Sequence, residues 1–286
     1  MSTTTSHRAP AASGTTSARV SFPRVVRSEW LKLWTVRSTY WTIGTTLAVL
    51  GLLALAMAVS INAFPEQMEQ GAGSTDVSIV PYMVLAPGQI FGALVLVVLA
   101  ALVVTGEYGT GQIRSTLTAV PTRLPVLWAK ALVIAVVTFL TAAVGTALSL
   151  LIAGLVADVQ VDWSDAETVR IVLGTPLYIA TVALLGFAVG ALLRNTAATI
   201  AIVIGFVLVI ESVLNLISWK PLEWVRPFLP SSAGARVATP EALLEQTNQM
   251  TAQAVDLGPW EGYAVLAGWV VVFVVLAAVR LRTRDA

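Results

Sequence analysis

Six long apolar runs alternate with short polar stretches along the chain, at 41–61, 85–105, 131–157, 171–193, 196–218 and 262–279. The first is an uncharged run that rises about 31 Å as a helix, roughly one bilayer core. The pattern predicts an all-α integral membrane protein with six transmembrane helices. Pro87 falls near the start of the second run, where a missing N–H costs little. Pro176 is expected to break the fourth run near one end. Arg194 and Asn195 alone separate the fourth and fifth runs, which forces those two helices to lie antiparallel side by side.

The intervening stretches differ in kind. Residues 1–20 are rich in Ser, Thr, Ala and Gly without an apolar block, and are expected to be a disordered tail; residues 21–286 then form a single six-helix domain. From Arg24 to Tyr40, basic residues interleave with Trp and aliphatics. Val26, Trp30, Leu33 and Trp34 share one helical face, so an amphipathic helix lying at the membrane surface is expected there. Residues 63–83 are acidic, with Glu66, Glu69 and Asp76, and a short loop carries Asp158, Asp162, Asp165 and Glu167. The longest hydrophilic segment, 220–261, begins with Trp219, Pro221, Trp224, Pro227, Phe228 and Pro230, which reads as an interfacial or re-entrant piece. Residues 240–255 follow as a short amphipathic helix opened by Thr239-Pro240-Glu241.

Composition sharpens the class: 57 % hydrophobic, 12 % charged and mean hydropathy +0.82, against roughly 25 % charged in soluble domains. Charge distribution orients the chain. With six spans, both termini share one side with 13 of the 17 basic residues, while the other side holds 12 of the 16 acidic ones. The positive-inside rule makes the termini cytoplasmic, and the segment between the fifth and sixth spans becomes the larger extracellular loop.

Catalytic chemistry finds little to work with. The chain has no Cys and one His, His7, in the tail, so thiol catalysis, a Ser-His arrangement and a zinc site built on those residues are excluded. No phosphate-binding G-x-x-x-x-G-K-[ST] loop occurs, and the chain is not expected to be an enzyme or to bind a cofactor or metal itself. Glu211 is the one ionisable residue well inside a span, with Asn215 one turn further on the same face. An intramembrane carboxylate is a candidate for a substrate path; the alternative is that Lys220 or Arg226 folds over from the loop and satisfies it. Gly186 and Gly190 form a G-x-x-x-G pair suited to close helix packing within the chain, or to subunit contact.

The stretch from Glu107 to Lys130, EYGTGQIRSTLTAVPTRLPVLWAK, is the charged interruption between the second and third spans. Thr110 to Ala119 is expected to form a short helix ended by Pro121. Glu107-Tyr108, Gly111-Gln112-Ile113-Arg114, Pro121, Arg123 and Lys130 resemble the cytoplasmic coupling loop of type-2 ATP-binding-cassette (ABC) exporter permeases, actinobacterial ones in particular. Ser28-Glu29-Trp30-Leu31-Lys32-Leu33 with Arg37-Ser38-Thr39, and Gly190 to Arg194 followed by Ala197-Ala198, are similar to that family as well.

The resemblance implies a permease subunit of the bacterial cytoplasmic membrane that dimerises with a second copy or paralogue. It would pair with a separate ABC ATP-binding subunit that holds the ATP and Mg, and would touch membrane lipid but no nucleic acid. It assigns contact with the ATPase to Glu107, Tyr108, Gly111, Ile113, Arg114, Leu117 and Arg123, and a surface-helix role to Glu29, Trp30, Lys32 and Arg37. Glu107 is expected to pair with a base of that helix such as Arg27 or Arg37. The apolar spans favour an amphipathic or hydrophobic cargo, as in antibiotic or multidrug efflux. Two other readings stay open: a secondary transporter or channel, and a membrane scaffold that transports nothing.

Overall fold

The computed structural model describes residues 21–64, 78–109, 123–217, 219–251 and 253–283. These are helical apart from short connections such as 158–165 and 253–258, with no strand among the described residues. Six helices are long and apolar enough to cross a membrane: Arg37–Ala63, Ile79–Gly109, Arg123–Ala157, Ala166–Leu193, the interrupted Thr196–Leu216, and Pro259–Thr283. Most outrun the apolar runs that predict them, because helical hydrogen bonding continues into flanking residues that hydropathy alone does not mark. The expected tail and the acids Glu66, Glu69 and Asp76 lie outside the described residues.

A separate helix, Phe22–Thr35, precedes the first span. Pro23 fits its first turn, and an extended Val36 ends it. Its terminal carbonyls are met by side chains from beyond the bend: Thr39 Oγ1 donates to Leu33 O (2.8 Å) and the Tyr40 hydroxyl to Trp34 O (2.9 Å), which satisfies groups that the helix itself leaves unpaired. The face turned to the bundle is Val25, Glu29 and Leu33, with Val26 packed beside it. Trp30 and Trp34 instead form an outer aromatic row with Tyr40 (5.9 and 5.6 Å between ring centroids). Glu29 can turn inward because it has buried partners elsewhere in the chain.

The fourth span is the hub, packed against the second, third and sixth, and 78 % of its most apolar stretch is buried. Leu96, Val97, Leu99, Ile134, Ile179, Val182 and Phe187 are fully enclosed between these helices. Small residues set the spacing. A Cβ on Gly186 would stand 3.0 Å from Val97 Cγ1 and one on Gly190 2.7 Å from Val104 Cγ1, so the G-x-x-x-G pair seats the second span within the chain. Leu50 of the first span enters a hollow walled by Gly88, Gly92 and Gly145.

Both prolines depart from expectation. Pro87 lies well inside the helix Ile79–Gly109, and the helix Ala166–Leu193 runs through Pro176 without a break. Pro176 is buried in the hub, where packing on the neighbouring helices outweighs one lost backbone bond. Asp165 caps the fourth span's start, accepting from the N–H groups of Glu167 and Thr168. Arg194 ends it in the left-handed region (φ 60°), and Asn195 caps the next helix by accepting from Ala198 N (2.9 Å). That two-residue turn is the expected one.

Between the fifth and sixth spans the chain folds back along the sixth. Short helices Lys220–Val225 and Pro230–Ala235 lead to Glu241–Thr251. The Trp269 indole N–H reaches Phe228 O (2.9 Å), which puts Phe228 roughly 15 Å along the sixth span from Pro259. Glycines allow the approach: a Cβ on Gly262 would meet Ala233 O at 2.4 Å, and one on Gly174 would meet Val237 O at 2.6 Å.

Candidate functional site

At the end of the bundle where the second span finishes and the third begins, four charged side chains meet. Glu29 comes from the N-terminal helix, flanked by Lys32; Glu107 stands in the last turn of the second span; Lys130 stands two turns into the third helix. Lys130 Nζ lies 2.5 Å from Glu29 Oε2 and 3.0 Å from Glu107 Oε1. Lys32 Nζ lies 2.7 Å from Glu29 Oε1 and 3.1 Å from Glu107 Oε1. Glu29, Glu107 and Lys130 are 4, 7 and 5 % exposed, so each needs a partner to offset its lost hydration.

The pairing outweighs burial in the two groups on the N-terminal helix. Burial alone would raise the Glu29 carboxyl, but the Lys130 and Lys32 ammonium groups hold it below its ordinary value. Burial would lower Lys32, but Glu29 and Glu107 hold it above. Both stay charged through the physiological range. A cavity of about 300 Å³ adjoins the cluster, walled in part by Lys32, Leu33, Val36, Val103, Gly106 and Glu107. The partner expected for Glu107 is corrected here. Arg27 and Arg37 are exposed and off the buried face, and the bond to the N-terminal helix is made by Lys32.

Tyr108, next in sequence, faces the other way. The Arg194 guanidinium sits over its ring at 5.1 Å, a cation–π contact, and Arg280 donates to Leu192 O nearby. The end of the second span is thereby held on one side to the N-terminal helix and third span. On the other it meets the turn between the fourth and fifth. Gly111, Ile113, Arg114 and Leu117 lie outside the described residues. Arg123 opens the third helix, with its side chain likewise outside the description, and Arg37 opens the first span.

Glu211 belongs to the opposite end. It is 2 % exposed, and among the described residues its bonds come from serines. Its Oε1 accepts from Ser231 N (2.9 Å), and its Oε2 from Ser232 N and Ser232 Oγ (both 2.7 Å). Asn215 Nδ2 reaches the same Ser232 Oγ (3.3 Å), and the Tyr178 hydroxyl bonds Ser231 Oγ (2.7 Å). The loop does fold over Glu211, through backbone N–H groups. Lys220 is exposed, and Arg226 donates to the carbonyls of Leu214 (3.0 Å), Thr251 (2.6 Å) and Ile217.

Three arginines outside the expected sites organise this end. Arg226 is one. Arg236 donates to Leu257 O (2.7 Å), Asn248 Oδ1 (3.1 Å) and Asp256 Oδ1 (3.0 Å), and Arg170 to the carbonyls of Arg236, Val237 and Thr239 (3.0–3.2 Å). The sequence signal was their position: three of the four basic residues on the acid-rich side, two of them in a stretch crowded with Pro and aromatics. Among the described residues, no three His, Cys, Asp or Glu side chains are grouped to hold a metal ion.

No curated protein matches the chain. The profile of the family described as "Protein of unknown function (DUF2705)" matches residues 47–286, most of the chain and both ends of the bundle, and the chain belongs to that family.

Proposed function

We propose that this chain is the membrane permease subunit of an ATP-driven exporter of the type-2 ABC class. In this reading it lies in a bacterial cytoplasmic membrane with both termini and the Glu29–Glu107–Lys32–Lys130 junction on the cytoplasmic side. The observation that supports it best is that junction. The segment that resembles a coupling loop begins at Glu107-Tyr108, in the last turn of the second span. Glu107 is bonded to side chains of two further helices, and Tyr108 to the turn between spans four and five. A push on the loop from a soluble ATPase would thus reach several helices at once. Exposed tryptophans support the bilayer placement: Trp30, Trp41 and Trp128 ring this end, and Trp163, Trp219, Trp224 and Trp260 the other, as interfacial belts do.

In this reading a second permease copy or paralogue completes the translocation path, an amphipathic or hydrophobic molecule is the cargo, and ATP is hydrolysed on the partner subunit. The test is co-purification with a Walker-A ATPase, followed by measurement of ATPase stimulation and transport. Replacing Ile113 and Arg114 with Ala is expected to abolish stimulation while leaving the permease folded. Transport that persists with no nucleotide-binding partner would overturn the proposal and favour a secondary transporter.

A further inference from the structure

The fifth span is two helices of different attachment joined by a π-helical turn, Gly205–Ile210, that buries no residue. Its first half, Thr196–Ile204, is seated on the second and fourth spans. Thr199 and Val203 are buried, Thr196 Oγ1 bonds Thr105 Oγ1 (2.6 Å), and Thr199 packs at the hollow beside Gly190. Its second half, Glu211–Leu216, buries Glu211 alone, while Val213 and Leu216 are 48 and 83 % exposed.

The second half's hydrogen bonds to other elements run to the folded-back segment: Glu211 to Ser231 and Ser232, Asn215 to Ser232, and the carbonyl of Leu214 to Arg226. That segment is in turn fastened to the fourth and sixth spans. Arg170 and Gly174 hold Val237, Gly262 receives Ala233, Gly234 fits against Leu266, and Trp269 holds Phe228.

We propose that the outer half of the fifth span is a swinging arm, hinged at Gly205–Ile210 and latched by the Glu211 carboxylate to the N–H groups of Ser231 and Ser232. The folded-back segment is the fixed wall. A π turn is a local weakness in helical hydrogen bonding, and Gly205 adds backbone freedom that packing does not require, since a Cβ there would meet nothing within 4 Å. Opening the latch moves Glu211 and Asn215 away from Ser231, Ser232 and Tyr178. A polar seam then opens between the arm and the wall, among otherwise apolar helices. The inference does not depend on an ATPase partner.

The chain has no cysteine, so spin labels can be placed singly on the full-length protein. Labels at Val213 and Val271 report the arm, and labels at Ile202 and Val271 report the inner half; all three positions are exposed. Electron–electron distance measurements in nanodiscs compare the parent with Glu211→Gln, which turns an amide N–H₂ toward backbone donors, and with Ser232→Ala, which removes the hydroxyl's bonds to Glu211 and Asn215 and keeps both backbone bonds to Glu211. A swing of ~20°, the scale of membrane-helix tilt, about Gly205 moves Val213, roughly 12 Å along the helix, by about 4 Å. The expected result is a shift or broadening of that order for 213–271 in Glu211→Gln, a smaller one in Ser232→Ala, and no change for 202–271. Equal movement of both pairs, or none in 213–271, overturns the hinge and latch. If Glu211→Gln does not fold, Ser232→Ala decides: no selective displacement of 213–271 rejects the proposal.

Discussion

Glu107 and Glu211 are both carboxylates buried near the ends of apolar helices, 7 and 2 % exposed. Glu107 meets the ammonium groups of Lys32 and Lys130, whereas Glu211, among the described residues, meets the N–H and O–H groups of two serines. The first is one corner of a cluster of two acids and two bases; the second sits in a shell of hydrogen-bond donors. Ion pairs made by long lysine side chains tie three helices together while allowing each some displacement. Hydrogen bonds to consecutive backbone N–H groups fix a chain direction and a level, and little movement is possible until they break. One end of the molecule is thus built as a compliant joint and the other as a catch.

The largest effect is expected from Lys130→Met. It leaves Glu29 and Glu107 facing each other without their buried cation, a loss of about 3–5 kcal/mol, read as a lower melting temperature in detergent. Glu29→Gln in the same chain should recover part of that loss, because one uncompensated charge goes with it. Next comes Glu211→Ala, which strands the Ser231 and Ser232 N–H groups and costs about 2 kcal/mol. Hydrogen exchange should then rise across residues 226–238 and stay unchanged at Glu29 and Leu33. Equal exchange at both ends would mean the two sites are one cooperative unit.

Acid should separate the ends next. The Glu29 pKa lies below its ordinary 4.5 in the folded protein, so its pairing stabilises fully above that value and is lost as pH falls through the folded pKa. Lys32 is held above 10.5, so its contribution is complete below 10.5 and fades only as pH rises past the folded value. A melting temperature flat at neutral pH and falling below about 4.5 is expected, with a shallower acid limb in Glu29→Gln. The smallest effect belongs to Lys32→Ala, at about 0–1 kcal/mol, because its side chain is 40 % exposed and water screens the pairs. A loss as large as that of Lys130→Met would show that the cluster depends on four charges equally, contrary to the burial pattern.

The six spans were legible because hydropathy is summed over neighbours and needs no knowledge of the rest of the chain. The Arg194-Asn195 turn and the start of the helix at Glu241 were legible for the same reason: caps and turns are local chemistry. The burial of Glu29 was not legible because it looks like a solvent residue until Lys130, 101 positions away, is brought beside it. Pro176 was misread because its cost is local while the packing that outweighs it is not. The roles of Arg170, Arg226 and Arg236 were hidden because their acceptors are mostly backbone carbonyls, which every residue has and no sequence pattern displays. The coupling-loop residues Gly111 to Leu117 remain a reading of the sequence.

By itself, then, the sequence determined the number and order of the apolar helices, the polarity of the segments between them, and the isolation of Glu211 in a span, since each follows from residues close together in the chain. Only the tertiary structure decided which charges meet. A buried carboxylate is settled by whatever donor folding brings within about 3 Å: lysines from two other helices for Glu107, and the backbone of a folded-back loop for Glu211.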